Sequence, residues 1–196
     1  MKLLDLILEQ EKILTTRRSR KERKENLKIA ILKQVKEYMK KGGVGDLNLY
    51  NTPITSLPEG LKVGGNLDLS DTPITSLPDN LKVKGNLWLS KTPITSLPDN
   101  LEVGNSLLLH NTPITSLPYT LKVRGDLLAG DSSLTSLPDG LKVGRTLDLS
   151  FTPITSLPND LEVGGNLYLQ YTPISKKYTK EEIRQMVPGV KGNIVI

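Results

Sequence analysis

The 196-residue chain has no cysteine, which excludes a disulfide framework and every thiolate site for zinc, iron–sulfur or nucleophilic chemistry. A single histidine, His110, removes most His-based metal sites as well. Aromatic residues make up 4% of the chain, so the core must be aliphatic, built from leucine, isoleucine and valine. Long apolar runs are missing too. Leu3, Leu4, Leu6, Ile7 and Leu8 are interrupted by Asp5, followed by Glu9 and Glu11, and lead to no small-residue cleavage site. That segment is too short and too acidic for a signal peptide or a membrane span, which predicts a cytoplasmic protein with no membrane contact. The length suits one compact domain or one elongated array, and is too small for two full catalytic domains.

What is present is a repeat. From Leu57 the string SLPxxLxVxGxLxLxxTPIT returns every 20 residues without insertion, at Leu57, Leu77, Leu97, Leu117, Leu137 and Leu157. Identity at a fixed period predicts a solenoid, and Leu47, Leu49, Thr52, Pro53 and Ile54 supply a partial coil ahead of it. Leu67 and Leu69, with their equivalents, alternate with polar or variable residues, the pattern of a short strand buried on one face. Leu61 and Val63 predict a second short extended segment. The pair Thr72-Pro73 fixes a turn, because proline sets φ and pushes the residue before it toward extended geometry. Its threonine either stacks its hydroxyl in a ladder between coils or serves turn propensity alone. One coil buries too little to fold by itself, so stability must come from pairing between coils. At about 4.8 Å per strand, eight strands span on the order of 35 Å.

The stretch Leu67-Asp68-Leu69-Ser70-Asp71-Thr72-Pro73-Ile74 resembles the LxLxxNxL portion of the leucine-rich repeat family, and the 20-residue period with its Leu-Pro step is similar to the short bacterial form. The LxVxG step is also similar to repeat proteins of tailed bacteriophages. Two departures stand out: the family's leading leucine falls on Gly64, Lys84, Gly104, Arg124, Gly144 and Gly164, and its turn asparagine is threonine. Over residues 43–174 and a last strand, the resemblance implies a curved parallel-sheet solenoid that binds proteins and has no catalytic residue.

Columns that vary between coils are free of packing constraint and are expected to face solvent. The residue between the two strand leucines runs Asn48, Asp68, Trp88, Leu108, Leu128, Asp148, Tyr168. Two positions on come Tyr50, Ser70, Ser90, His110, Gly130, Ser150 and Gln170, and then Asn51, Asp71, Lys91, Asn111, Asp131, Phe151 and Tyr171. Five of the eight aromatic residues fall in these columns, where a core would be their ordinary place. Trp88, Leu108 and Leu128 form an apolar stripe between Asp68 and Asp148, with Tyr168 beyond. An aromatic anchor inside a polar rim is how interfaces concentrate energy, so Tyr50, Asp68, Trp88, Leu108, His110, Leu128, Asp148, Phe151, Tyr168 and Tyr171 are the candidate partner-binding set. The alternative is that the N-terminal helix or a second copy covers the stripe. The coil Leu127-Leu128-Ala129-Gly130-Asp131-Ser132-Ser133-Leu134 replaces a core leucine and the Thr-Pro turn. It is expected to be the softest coil, with a small notch where Gly130 meets His110.

Residues 1–42 hold 13 Lys/Arg against 6 Asp/Glu, and residues 43–196 hold 13 against 15, so the excess of the net +5 charge is N-terminal. Leu27, Ile31, Val35, Tyr38 and Met39 recur at helical spacing and Gly42-Gly43 follows, which predicts an amphipathic helix capping the open end of the array. Leu3, Leu4, Ile7 and Leu14 suggest an earlier helix. Between them Arg17, Arg18, Arg20, Lys21, Arg23 and Lys24 form a run that either contacts nucleic-acid phosphates or is a solvated helix face. At the other end, residues 175–196 are read as a cap: Thr179-Lys180-Glu181-Glu182 is a capping box opening a short helix that Pro188-Gly189 ends, and Val190, Gly192, Ile194 and Ile196 restore a last strand. The reading is therefore a non-catalytic solenoid without cofactor or metal that binds a protein partner. Its rivals are a nucleic-acid-associated protein using the basic run, and a self-associating structural subunit of the virion type.

Overall fold

The computed structural model describes residues 20–196; the proposed first helix and Arg17 and Arg18 lie outside the described residues. A helix, α1 (Arg20–Lys40), leads into the first strand, β1 (Leu47–Asn48). Each following coil then gives two strands of two residues: β2 (Lys62–Val63) and β3 (Leu67–Asp68), β4 (Lys82–Val83) and β5 (Leu87–Trp88), β6 (Glu102–Val103) and β7 (Leu107–Leu108). The series continues with β8 (Lys122–Val123) and β9 (Leu127–Leu128), β10 (Lys142–Val143) and β11 (Leu147–Asp148), β12 (Glu162–Val163) and β13 (Leu167–Tyr168). Two short helices, α2 (Pro173–Lys177) and α3 (Lys180–Met186), precede the last strand, β14 (Ile194–Val195).

The odd-numbered strands and β14 form an eight-stranded parallel sheet, and the even-numbered strands from β2 to β12 form a six-stranded parallel sheet. Partners stand 20 residues apart, Leu47 beside Leu67 and Lys62 beside Lys82, so the fold is a parallel β-solenoid. The aliphatic columns meet inside it: Ile54, Leu61, Leu67, Leu69, Ile74 and their equivalents are buried. This is what the period-2 alternation within each coil predicts.

The corners depend on polar bonds that the apolar pattern does not reveal. Each turn threonine keeps its hydroxyl within its own coil: Thr72 Oγ1 donates to Leu69 O at 2.6 Å, and Thr92 and Thr152 do the same to Leu89 O and Leu149 O. The ladder between coils lies elsewhere, at the small polar residue before each long-sheet strand. Asp46 Oδ1 accepts from Asn66 N, Asn66 Oδ1 from Asn86 N, Asn86 Oδ1 from Ser106 N, and Ser106 Oγ from Asp126 N. A side chain thus satisfies a corner N–H of the next coil that would otherwise lack a partner.

The irregular coil stays in line. Leu127 pairs with both Leu107 and Leu147, and Ala129 is fully buried in the leucine column. Ser132 Oγ donates to Ala129 O as the threonines do. Ser133, standing where other coils have proline, uses its N–H to reach Thr112 O of the preceding coil at 3.2 Å, a bond no Thr-Pro coil can form. Restoring the consensus with Ser133→Pro is therefore expected to lower stability by about 0.5–1 kcal/mol in urea melting, where proline's effect on the unfolded chain alone would raise it.

Both ends are closed. At the N-terminal end α1 places Ile31 and Val35 in the core cluster, and Tyr38 Oη donates to Gly43 O and Gly45 O just ahead of β1. Burial raises the Tyr38 hydroxyl above its usual pKa. Gly42 and Gly43 end the helix with φ of 84° and 63°. One expected core residue is not one: Leu27 is 52% exposed, because the buried positions of α1 begin only at Ile31. At the other end the capping box forms, with Thr179 Oγ1 accepting from Glu182 N and a Glu182 carboxylate oxygen accepting from Thr179 N. Those bonds hold the Glu182 carboxyl below its usual pKa. Arg184 clamps the last strand approach, donating to Val190 O and Gly192 O at 2.6 Å each. Ile194 is buried, whereas Ile196 remains 44% exposed past the end of β14.

Candidate functional site

The outer face of the eight-stranded sheet carries the variable columns. Strand register sets Asp68 beside Trp88, Trp88 beside Leu108, and Leu108 beside Leu128. It continues with Leu128 beside Asp148 and Asp148 beside Tyr168. The expected stripe is therefore contiguous, and its side chains lie outside the core. All six are half-buried, because neighbouring side chains one strand spacing apart cover one another's flanks.

The polar members of this column have a local task. Asp68 Oδ1 accepts from Ser70 N, Asp148 Oδ1 from Ser150 N, and Asn48 Oδ1 from Tyr50 N, each at 2.9 Å. Such a side chain closes the strand's exit onto the backbone two residues on. Trp88, Leu108 and Leu128 cannot form that bond. Those three coils give up a backbone partner at the same position where they turn apolar surface outward. Tyr168 leans back along its own coil, its hydroxyl accepting from Asn166 Nδ2 at 3.4 Å.

The third column is not free of constraint, contrary to the sequence expectation. Asn51, Asp71, Lys91, Asn111, Asp131, Phe151 and Tyr171 all have φ between 52° and 60°. This left-handed backbone explains the preference for asparagine and aspartate, which tolerate it best. Phe151 and Tyr171 adopt it despite their bulk. Their rings stack with centroids 4.5 Å apart at 17°, and they remain 53% and 69% exposed. Tyr50, 52% exposed, stands alone at the N-terminal end of the face.

The middle column is partly closed. Gly130 and Ser150 are buried, and His110 Nδ1 lies 3.2 Å from Gly130 O. A Cβ built on Gly130 would come 3.2 Å from that same ring nitrogen, so the imidazole fills the expected notch. Among the described residues no group of three or more His, Asp or Glu comes together as a metal site, and no helix is long and apolar enough to cross a membrane. Of the basic run, Arg20, Lys21, Arg23 and Lys24 open α1, away from the stripe in sequence and in element.

No protein-family model matches the chain, and no curated protein matches it. The leucine-rich-repeat resemblance therefore rests on the motif residues themselves.

Proposed function

We propose that this chain is a non-catalytic scaffold that binds a protein partner on the outer face of its eight-stranded sheet. The observation that carries the reading is the run of three adjacent coils in which Trp88, Leu108 and Leu128 replace the Asp or Asn of neighbouring coils. A folding requirement alone would favour the polar residue, which closes a backbone bond there. The stacked Phe151–Tyr171 pair extends the same face with rigid aromatic surface. Rigid aromatics flanked by polar residues lose little conformational entropy on docking, which suits them as anchors. The resemblance to leucine-rich repeats, whose solenoids bind proteins, points the same way.

Trp88 is the only tryptophan, so its emission reports on the stripe. Partners captured from the source cell by the native chain are expected to be lost with Trp88→Ala and to shift the indole emission of the native chain when added back purified. The substitution should weaken binding by about 2 kcal/mol, roughly 30-fold, with little change in melting temperature. A large loss of stability with unchanged capture would reject the assignment. Concentration-dependent sedimentation that Trp88→Ala abolishes would identify the partner as a second copy.

A further inference from the structure

The six-stranded sheet has an outer face of its own, and its chemistry is the opposite of the stripe's. Its outward strand column reads Lys62, Lys82, Glu102, Lys122, Lys142, Glu162, every member exposed. Two residues on, Lys84 and Arg124 project between glycines, and Arg145 and Lys191 add charge toward the C-terminal end. Two shallow grooves of about 970 and 720 Å³ run along this face and share Lys122 and Arg124 as lining.

Of the acidic groups nearby, Glu102 is held by Lys82, Glu162 by Lys142, and Asp126 by Arg145 at 3.8 Å, while Asp99 lines the larger groove without an ion pair among the described residues. Lys62, Lys84, Lys122, Arg124 and Lys191 have no acidic partner within 4.0 Å among the described residues. Five cations are thus left uncompensated along one wall, spread over roughly 30 Å at the strand spacing. Among the exposed large apolar side chains only Val44 lines these grooves, at the N-terminal end of the larger one, so between Lys62 and Arg145 the strand columns offer a partner charge and backbone.

A ridge borders the face. The turn before four of the six short-sheet strands carries an exposed carboxylate at the same position, Glu59, Asp79, Asp99 and Asp139, and before β12 that position is Asn159. The ridge breaks at Tyr119, which is 78% exposed. The break falls in the coil that carries Lys122 and Arg124, where the two grooves meet.

From this charge arrangement we infer that the outer face of the six-stranded sheet binds the phosphate backbone of single-stranded nucleic acid, centred on Lys84, Lys122 and Arg124. The uncompensated cations neutralise phosphates and release counterions, and the exposed Tyr119 ring offers one base a stacking platform at the gap in the ridge. A duplex fits less well, because a second backbone laid beside the first would meet the exposed carboxylates of the turns, of which Asp99 already lines the larger groove. This surface uses none of the residues of the N-terminal basic run, and the test must tell the two apart.

Fluorescence anisotropy of a labelled 20-nucleotide oligothymidylate, titrated with the full chain from 50 to 200 mM NaCl, makes the measurement. Lys84→Gln/Arg124→Gln is expected to weaken binding at least tenfold at 50 mM and to flatten the log–log salt slope by roughly 1.4, two single-strand contacts' worth. Tyr119→Ala is expected to weaken it severalfold with the slope unchanged. Circular dichroism checks the fold, and Lys62→Gln/Lys122→Gln replaces the first pair if that pair does not fold. The inference is overturned if the native chain does not bind, if groove variants bind like the native chain while Arg17→Gln/Arg18→Gln abolishes binding, or if a duplex of equal length binds more tightly. Tighter binding to polyglutamate than to the oligonucleotide also overturns it, and would assign the face to an acidic protein.

Discussion

Leu149→Ala is expected to cost about 4 kcal/mol, near the upper end for a leucine truncated in a core, and more than the same change at Leu69. Both leucines are fully buried in the same column. Their neighbours differ: Leu69 stands between Leu49 and Leu89, whereas Leu149 stands between Leu169 and the one alanine of the column, Ala129. Strand register holds that alanine directly alongside, since Leu147 pairs with Leu127. Removing Leu149 therefore merges two short side chains into one larger void that the fixed inter-strand bonds cannot close, as Ala129 N already donates to Asp148 O at 2.8 Å. The two sites are coupled and their effects are not additive. The check is urea melting of Leu69→Ala, Leu149→Ala and the pair Ala129→Leu/Leu149→Ala. Equal losses at the two leucines, or no recovery in the pair, would refute the coupling.

Gly144→Val is expected to be comparably damaging for a different reason. A Cβ at Gly144 would lie 2.0 Å from Arg124 O and 2.8 Å from its carbonyl carbon, both backbone atoms that no rotamer change can move. Relief requires the two coils to separate, which breaks Gly144 N to Val123 O and Arg145 N to Gly125 O. Overpacking of 1–3 kcal/mol plus two weakened hydrogen bonds gives a loss of about 3 kcal/mol or more. In a chain of this size that corresponds to a melting temperature lower by roughly 10 °C. Side chains do occur in this column, at Lys84 and Arg124, and each has glycine in the coil on either side, Gly64 and Gly104 for one, Gly104 and Gly144 for the other. A glycine neighbour is not enough by itself, since a Cβ at Gly164 would still come 2.2 Å from Gly144 O. A Gly144→Val protein that melts like the native chain would show that the coils can part without loss.

The solenoid was readable because its period is strict and its apolar columns are occupied in nearly every coil. The alternation around Leu67 and Leu69 placed the buried face, and Thr179 with Glu182 placed the C-terminal helix. The stripe of Trp88, Leu108 and Leu128 followed from the same alignment. What stayed hidden has physical reasons. The left-handed backbone at Phe151 and Tyr171 is masked because those two residues are atypical for it, although Asn51, Asp71, Asn111 and Asp131 in the same column carry the signal. The Asp46–Asn66–Asn86–Ser106 ladder varies in residue type, and only the shared small polar acceptor identifies it. The basic wall was concealed by its own ridge: Glu59, Asp79 and Asp139 cancel Lys62, Lys84 and Arg124 in any count along the chain, and only coiling sorts them apart. Leu27 fits the helical spacing of α1 and yet faces water, because spacing tells which residues share a helix face and not how far the core beneath it extends.

Among the described residues each cap is fastened close to the coil it abuts, Tyr38 at Gly43 and Gly45, Arg184 at Val190 and Gly192. Neither of these fastenings depends on how many turns lie between them. A gene encoding such a molecule can gain or lose one 20-residue unit without redesigning its ends. Every unit added lengthens both walls by about 4.8 Å, so the reach of the protein is set in whole steps, like the rungs of an extensible rule.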